Sequence, residues 1–207
     1  MGANNAVNNS FDDKSTSNHT ITVNGDAHQT TFSPYRQGGY STFFDGSGDW
    51  LTIPTSTDLN MGTGDLTVEA WLYQTSAPAD YQMIVSSVGS SGNYYITIRA
   101  GGTGGLVEIN VGGTSFSLSL NNSVAANTWY HFAYVRHSGT IRLYVNGVQE
   151  ASLSNTSDID PDLIRIGQYY NTTLIFKGNL DEIRFSDNAR YPSGTTFTPS
   201  TTAFSSD

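Results

Sequence analysis

Short runs rich in Val, Ile, Thr, Tyr, Phe and Trp follow one another along almost the whole chain, and several alternate apolar with polar residues. In "DLTVEAWLY", Leu66, Val68, Ala70 and Leu72 share one face, while Thr67, Glu69, Trp71 and Tyr73 share the other. "TIRLYV" puts Ile141, Leu143 and Val145 on one side. A period of two belongs to a strand, because successive side chains leave an extended backbone on opposite sides. The same reading marks "HTITV", "YSTFF", "DWLTIP", "YQMIVSSV", "YYITIRA", "LVEINV", "SFSLSL", "TWYHFAYVRH", "VQEASL", "LIRIG" and "FKGNLDEIRF" as strands. Turn chemistry stands between them. Asn146-Gly147 separates "TIRLYV" from "VQEASL" and predicts a type I′ hairpin, whose two central residues need positive φ. Asn24-Gly25, Asp45-Gly46 and the glycines of "AGGTGG" punctuate the chain in the same way. No segment carries a convincing helical period. Many short antiparallel strands in one domain predict an all-β, two-sheet antiparallel jelly-roll sandwich.

Composition supports this and excludes several partners. A chain of 207 residues suits one domain. It is polar, with 37% hydrophobic and 13% charged residues and a mean hydropathy of -0.32, yet 12% aromatic residues argue for a packed core. The polarity comes from Ser, Thr, Asn and Gly, the residues of turns. Net charge is -9 with nine Lys and Arg, which speaks against a phosphate backbone or an anionic membrane as partner. Without cysteine, neither disulfides nor thiolate metal sites contribute. No run approaches the ~20 apolar residues of a membrane-spanning helix, so membrane insertion is not expected. "MGANNAVNNS" has neither the basic start nor the apolar stretch of a signal peptide. A virion or extracellular location would then require another route, such as excision from a longer chain or release by lysis. Residues 1–10 read as an N-terminal arm, 11–191 as the domain and 192–207 as a Ser/Thr-rich tail.

The segments "YSTFFDGSGDWLTIP", "GTGDLTVEAWLY", "NTWYHFAYVRHSGTIRLYVNGV", "LIRIG" and "FKGNLDEIRFSDNARY" occur in the order typical of laminin G-like domains of the concanavalin A-like lectin/glucanase class. The wording resembles the variant common in tailed-phage virion proteins, which closes with a tail similar to "ARYPSGTTFTP". The resemblance implies a concanavalin A-like sandwich and one structural calcium ion. "FDDKSTSNHT" resembles a calcium-holding loop; Asp13 matches its aspartate and Asp181 the acid of the final strand. Lys14 and Ser17 depart from the usual loop. Alternatively, Asp181 caps a turn or pairs with Arg184 or Lys177.

The carboxylates do not read as catalytic. Asp181 and Glu182 are strand neighbours, so alternation sends them to opposite faces, whereas a glycosidase needs two carboxyls across one bond. Glu69, Glu108, Glu150 and Glu182 lie in four separate strand runs, and Pro161 interrupts the series Asp158, Asp160, Asp162. No nucleophile motif appears. His131 and His137 stand six residues apart, too far for joint ligation, and read as surface or half-buried residues. Sugars are held by aromatic faces and by amide or carboxylate hydrogen bonds, which loops on a rigid sandwich present. "GQYYNTTL" gathers Tyr169, Tyr170 and Asn171 in one loop, and "SSGNYY" gathers Asn93 and Tyr94 at a turn. The expectation is a noncatalytic glycan-binding or adhesion module, on a phage tail, capsid or other surface protein. Its partners would be a cell-surface glycan or other virion proteins. A purely structural virion module and a glycan-cleaving hydrolase are the alternatives.

Overall fold

The computed structural model describes residues 8–34, 39–75, 82–89, 92–99, 106–111, 114–119, 124–170 and 174–205, with backbone alone from residue 88 to 119. Fourteen strands follow in chain order: β1 (Thr22–Asn24), β2 (His28–Thr30), β3 (Ser41–Asp45), β4 (Trp50–Ile53), β5 (Leu66–Gln74), β6 (Gln82–Gly89), β7 (Gly92–Arg99), β8 (Leu106–Val111), β9 (Thr114–Ser119), β10 (Trp129–His137), β11 (Thr140–Val145), β12 (Val148–Ser154), β13 (Leu163–Ile166) and β14 (Lys177–Ser186). One short 3-10 turn, Thr57–Leu59, interrupts them. The strands form two sheets of seven, ordered β12-β11-β10-β5-β14-β3-β2 and β1-β4-β13-β6-β7-β8-β9. The pairings are antiparallel throughout. This is the two-sheet sandwich the alternation predicts. The added strand is β2, "HQT", whose three residues carry no apolar alternation to announce it.

The core lies between the sheets. Phe44, Leu66, Val68, Leu72, Phe132, Leu143 and Leu180 face it from the first sheet, and Leu51, Ile84, Val85, Ile164 and Ile166 from the second. Burying each such side chain contributes about 1.5–3 kcal/mol, so a one-residue register slip, which would turn a whole strand over, is strongly disfavoured. Buried Arg136 ties the loops at one end together, donating from Nε to Gly64 O, from Nη1 to Ser157 O and from Nη2 to Gly62 O at 2.6–2.7 Å.

Asn146 and Gly147 have φ of 49° and 76°, the type I′ geometry expected. A Cβ on Gly147 would collide with the Phe197 carbonyl, because the chain after β14 returns across the outer face of the first sheet. This returning segment is held at many points. Arg190 N–H donates to Thr67 Oγ1, Tyr144 O–H to Gly194 O, Gln149 N–H to Thr195 O and Phe197 N–H to Gly147 O. Tyr191 and Phe197 stack with centroids 3.6 Å apart, over Ala133, Val135 and Tyr144. The Ser/Thr-rich residues read as a tail thus cover half-apolar sheet surface.

Candidate functional site

Two regions carry the chemistry, and the sandwich keeps them apart. The first is the outer face of β5, β10 and β14 beneath the returning segment. Glu69 is fully buried there. Its Oε1 accepts from Arg184 Nε and Nη2 at 2.9 and 2.6 Å, and its Oε2 pairs with His131 Nε2 at 3.1 Å and accepts from Tyr191 O–H at 2.9 Å. Burial works to raise the Glu69 carboxyl, but the bonds and charges of His131 and Arg184 outweigh it and hold the group below its ordinary value. Burial raises the Tyr191 hydroxyl well above the usual range. His131, expected at or near the surface, is fully buried, because the returning segment covers a strand face that alternation alone assigns to solvent.

Asp181 and Glu182 correct a second expectation. β14 opposes Trp71 with Asp181 and Glu69 with Arg184, so one extra residue is inserted, and Glu182 takes φ of 49°. This β-bulge breaks the alternation that would separate the two acids. Glu182 Oε2 accepts from Phe204 N–H at 2.6 Å on the same outer side as Arg184, whose guanidinium lies 3.8 Å over the Phe204 ring. Asp181 accepts from Ser33 Oγ at 3.1 Å and from Glu182 N–H at 2.9 Å. Burial first, and the Glu182 charge second, push the Asp181 carboxyl up to about 7.

The second region is the end of the sandwich where β13 hands over to β14. Gly167, with φ of 87°, starts the connection; a Cβ there would stand 2.7 Å from the Phe44 ring, so glycine is required. Gly167 N–H donates to Ile84 O and Phe176 N–H to Gly167 O, which seals the loop onto β6. Tyr169 and Tyr170 then stand half-buried, rings 4.2 Å apart at 55°. Arg165 Nη1 donates to Tyr170 O at 2.9 Å and to Gln168 Oε1 at 3.1 Å, and the guanidinium lies 5.8 Å over the Trp50 ring. Trp50 and Arg165 escaped the sequence reading, although period two places them opposite the buried Leu51 and Ile166. Asn171 falls outside the described residues. Asn93 and Tyr94 pair with Val88 and Ser87, level with the first half of β13, whereas Tyr169 follows its last residue. The two expected ligand clusters therefore lie toward opposite ends of one strand.

The two residues named for calcium each have their own hydrogen-bond partners. Asp13 Oδ1 accepts from Ser15 N–H, and its Oδ2 from Ser15 Oγ and His19 N–H, each at 2.8 Å. Among the described hydrogen bonds, Asp13 and Asp181 share no partner. A different trio comes together: Asp26, Asp45 and Asp49 each bring one carboxylate oxygen within 4.8 Å of the others. Buried Asp49 accepts Asp26 N–H and Asp45 N–H at 2.8 and 2.9 Å. Hard oxygen donors of this kind fit a divalent cation such as calcium. Acids from two turns about twenty residues apart carry no joint signal in the sequence.

With this geometry in place, comparison with known proteins fixes the class. The profile of the laminin G 3 family, described as the concanavalin A-like lectin/glucanases superfamily, matches residues 45–193, and the chain belongs to that family. Comparison with curated proteins gives no match. Among solved structures, domain 4 of AbnA, a GH43 extracellular arabinanase from Geobacillus stearothermophilus in complex with arabinotriose, is similar at 18% identity and TM-score 0.64, covering 84% of each chain. A heptameric SAP-like pentraxin from Limulus polyphemus is similar at 18% identity and TM-score 0.59, covering 71% of this chain and 75% of the pentraxin. The botulinum neurotoxin serotype D binding domain matches 87% of this chain with 46% of its own, at 14% identity and TM-score 0.63. At these identities the likeness establishes the fold. Among the described residues, no helix is long and apolar enough to cross a membrane.

Proposed function

We propose that this domain is a noncatalytic glycan-binding module whose ligand surface is the rim around Tyr169 and Tyr170. The observation that carries the reading is the tyrosine pair itself: two half-buried rings 4.2 Å apart on a loop whose backbone Arg165 holds. Aromatic faces stack on the apolar patches of sugar rings, and a preformed loop avoids the entropic cost of ordering them. The arabinotriose held by the similar arabinanase domain supports an oligosaccharide as the ligand class. Asn93 and Tyr94 would form a separate contact. Placement on a phage virion or another extracellular surface belongs to the same proposal and rests on the sequence resemblance. Calcium, where bound, would be held by Asp26, Asp45 and Asp49 and would tie the turn after β1 to the turn after β3.

A hydrolase is the second reading, and one observation favours it: Asp181 titrates near 7, as a general acid should. Its weakness is the missing second carboxylate. Glu69 is buried with both oxygens engaged, and Glu182 is bound to Phe204 N–H. The test is a glycan array with the folded chain, followed by calorimetric titration of the best ligand into wild type and Tyr169→Ala/Tyr170→Ala. Binding that weakens roughly tenfold or more, about 1.4 kcal/mol, is expected. Unchanged affinity in the double variant removes the site. Release of reducing ends that disappears in Asp181→Asn establishes the hydrolase instead.

A further inference from the structure

Arg165 has more hydrogen-bonding capacity than the protein uses. It lies on the outer side of β13, because Ile164 and Ile166 on either side of it are buried in the core. Both described bonds leave from Nη1, to Gln168 Oε1 and Tyr170 O. Among the described residues Nε and Nη2 find no hydrogen-bond partner, so three N–H donors of a half-buried guanidinium remain. Across the strand pair, Arg165 stands opposite Thr52, and Trp50 lies two residues further along the same face. The guanidinium covers part of the Trp50 ring at 5.8 Å while holding the Tyr170 backbone. One side chain thus joins an indole on β4 to the tyrosine pair after β13.

We propose that Trp50, Arg165 and the Tyr169–Tyr170 pair form one continuous two-subsite platform for a linear, neutral oligosaccharide. This rests on the glycan-binding reading above. Trp50 stacks under one sugar unit, the tyrosines contact the next, and the unused Arg165 donors bind hydroxyl or ring oxygens between them. The selectivity follows from the surrounding charge. Asp49 immediately precedes Trp50, and Asp49 Oδ1 and Oδ2 hold Asp26 N–H and Asp45 N–H beside it. Asp26 and Asp45 are exposed. Asn24 pairs with Trp50, so the turns that carry Asp26 and Asp49 lie at the Trp50 end of β4, within a chain of net charge -9. With no calcium between them, carboxylates within a Debye length of ~8–10 Å repel an acidic sugar and leave a neutral one unaffected, so the array is run in EGTA.

The experiment pairs neutral linear oligosaccharides with their uronic-acid or sialylated counterparts on one array. Calorimetry of the best neutral ligand and of its monosaccharide follows, on wild type, Trp50→Ala, Trp50→Leu and Arg165→Ala, each checked for an unchanged melting temperature. The expected results are at least tenfold tighter binding of neutral than acidic members, and roughly tenfold weaker trisaccharide binding in Trp50→Ala. Arg165→Ala should lower trisaccharide affinity and spare the monosaccharide. If Trp50→Ala fails to fold, Trp50→Leu carries the same test. Preference for acidic glycans, or full trisaccharide affinity in a folded Trp50 variant, overturns the platform while leaving glycan binding standing. Absence of binding to every glycan on the array overturns both.

Discussion

The outer face beneath the returning segment and the rim around Tyr169 are both rich in aromatic and charged groups, yet they differ in what those groups touch. Under the segment, Glu69 meets four donor atoms from three elements, and Tyr191, Phe197 and Tyr144 pack ring against ring. At the rim, Arg165 spends one nitrogen on the described residues and leaves two, and the tyrosines stay half-buried. A carboxylate with both oxygens bonded in a dry setting stabilises the fold; a guanidinium with donors left at an edge is available to a ligand. A carboxylate beside a histidine and an arginine looks catalytic in a list of residues. In this fold both of its oxygens are engaged by protein donors.

The sharpest way to break this contrast is Glu69→Ala. It strands Arg184, His131 and Tyr191 in buried surroundings, and removal of one partner from such a pair costs about 3–5 kcal/mol. Denaturant unfolding should show that loss, and a folded Glu69→Ala of wild-type stability would mean that the face is less enclosed than its geometry says.

Asp181→Asn has a smaller effect, of the opposite sign. A carboxyl whose folded value is about 7 against 3.8 unfolded keeps its proton longer in the fold, so stability declines as pH rises from about 4 to about 7 and stays low above. At 1.36 kcal/mol per unit the ceiling is about 4 kcal/mol, and residual hydration brings the expectation to about 2. Asn removes the penalty, so the variant should melt higher than wild type at pH 8 and like wild type at pH 4. Melts in millimolar calcium and in EGTA sharpen the point. A calcium ion shared by Asp13 and Asp181 would instead make Asp181→Asn the less stable protein in calcium.

Smallest of the three is Arg165→Ala, which should lower unfolding free energy by about 1 kcal/mol, since it forfeits two part-buried bonds, one of them to the buried Gln168 side chain. A loss several times larger would move the rim into the same structural class as Glu69.

How much of this was legible before folding can be argued residue by residue. The sandwich was legible because Leu66, Val68, Ala70 and Leu72 repeat at the strand period, and the Asn146-Gly147 hairpin because its φ values need those residue types. Tyr169 and Tyr170 were legible as a pair because they are adjacent in a loop. Alternation says which way a side chain leaves its own strand; it does not say what lies on top. Burial of Glu69 and His131 required residues 187–204 to return across the sheet, a contact between positions more than a hundred apart in the case of Tyr191 and Glu69. The same-side placement of Asp181 and Glu182 required one inserted residue, which only the pairing with β5 reveals. Trp50 and Arg165 meet because β4 and β13 pair in one register, and Asp26, Asp45 and Asp49 because two turns converge. The sequence by itself determined the strands, the turns and the class of fold, since those depend on each residue and its near neighbours. Which carboxylate is consumed, which arginine is left with free donors and which rings share a surface were decided by tertiary structure, because hydrogen-bond satisfaction and exposure are properties of what packs against a group.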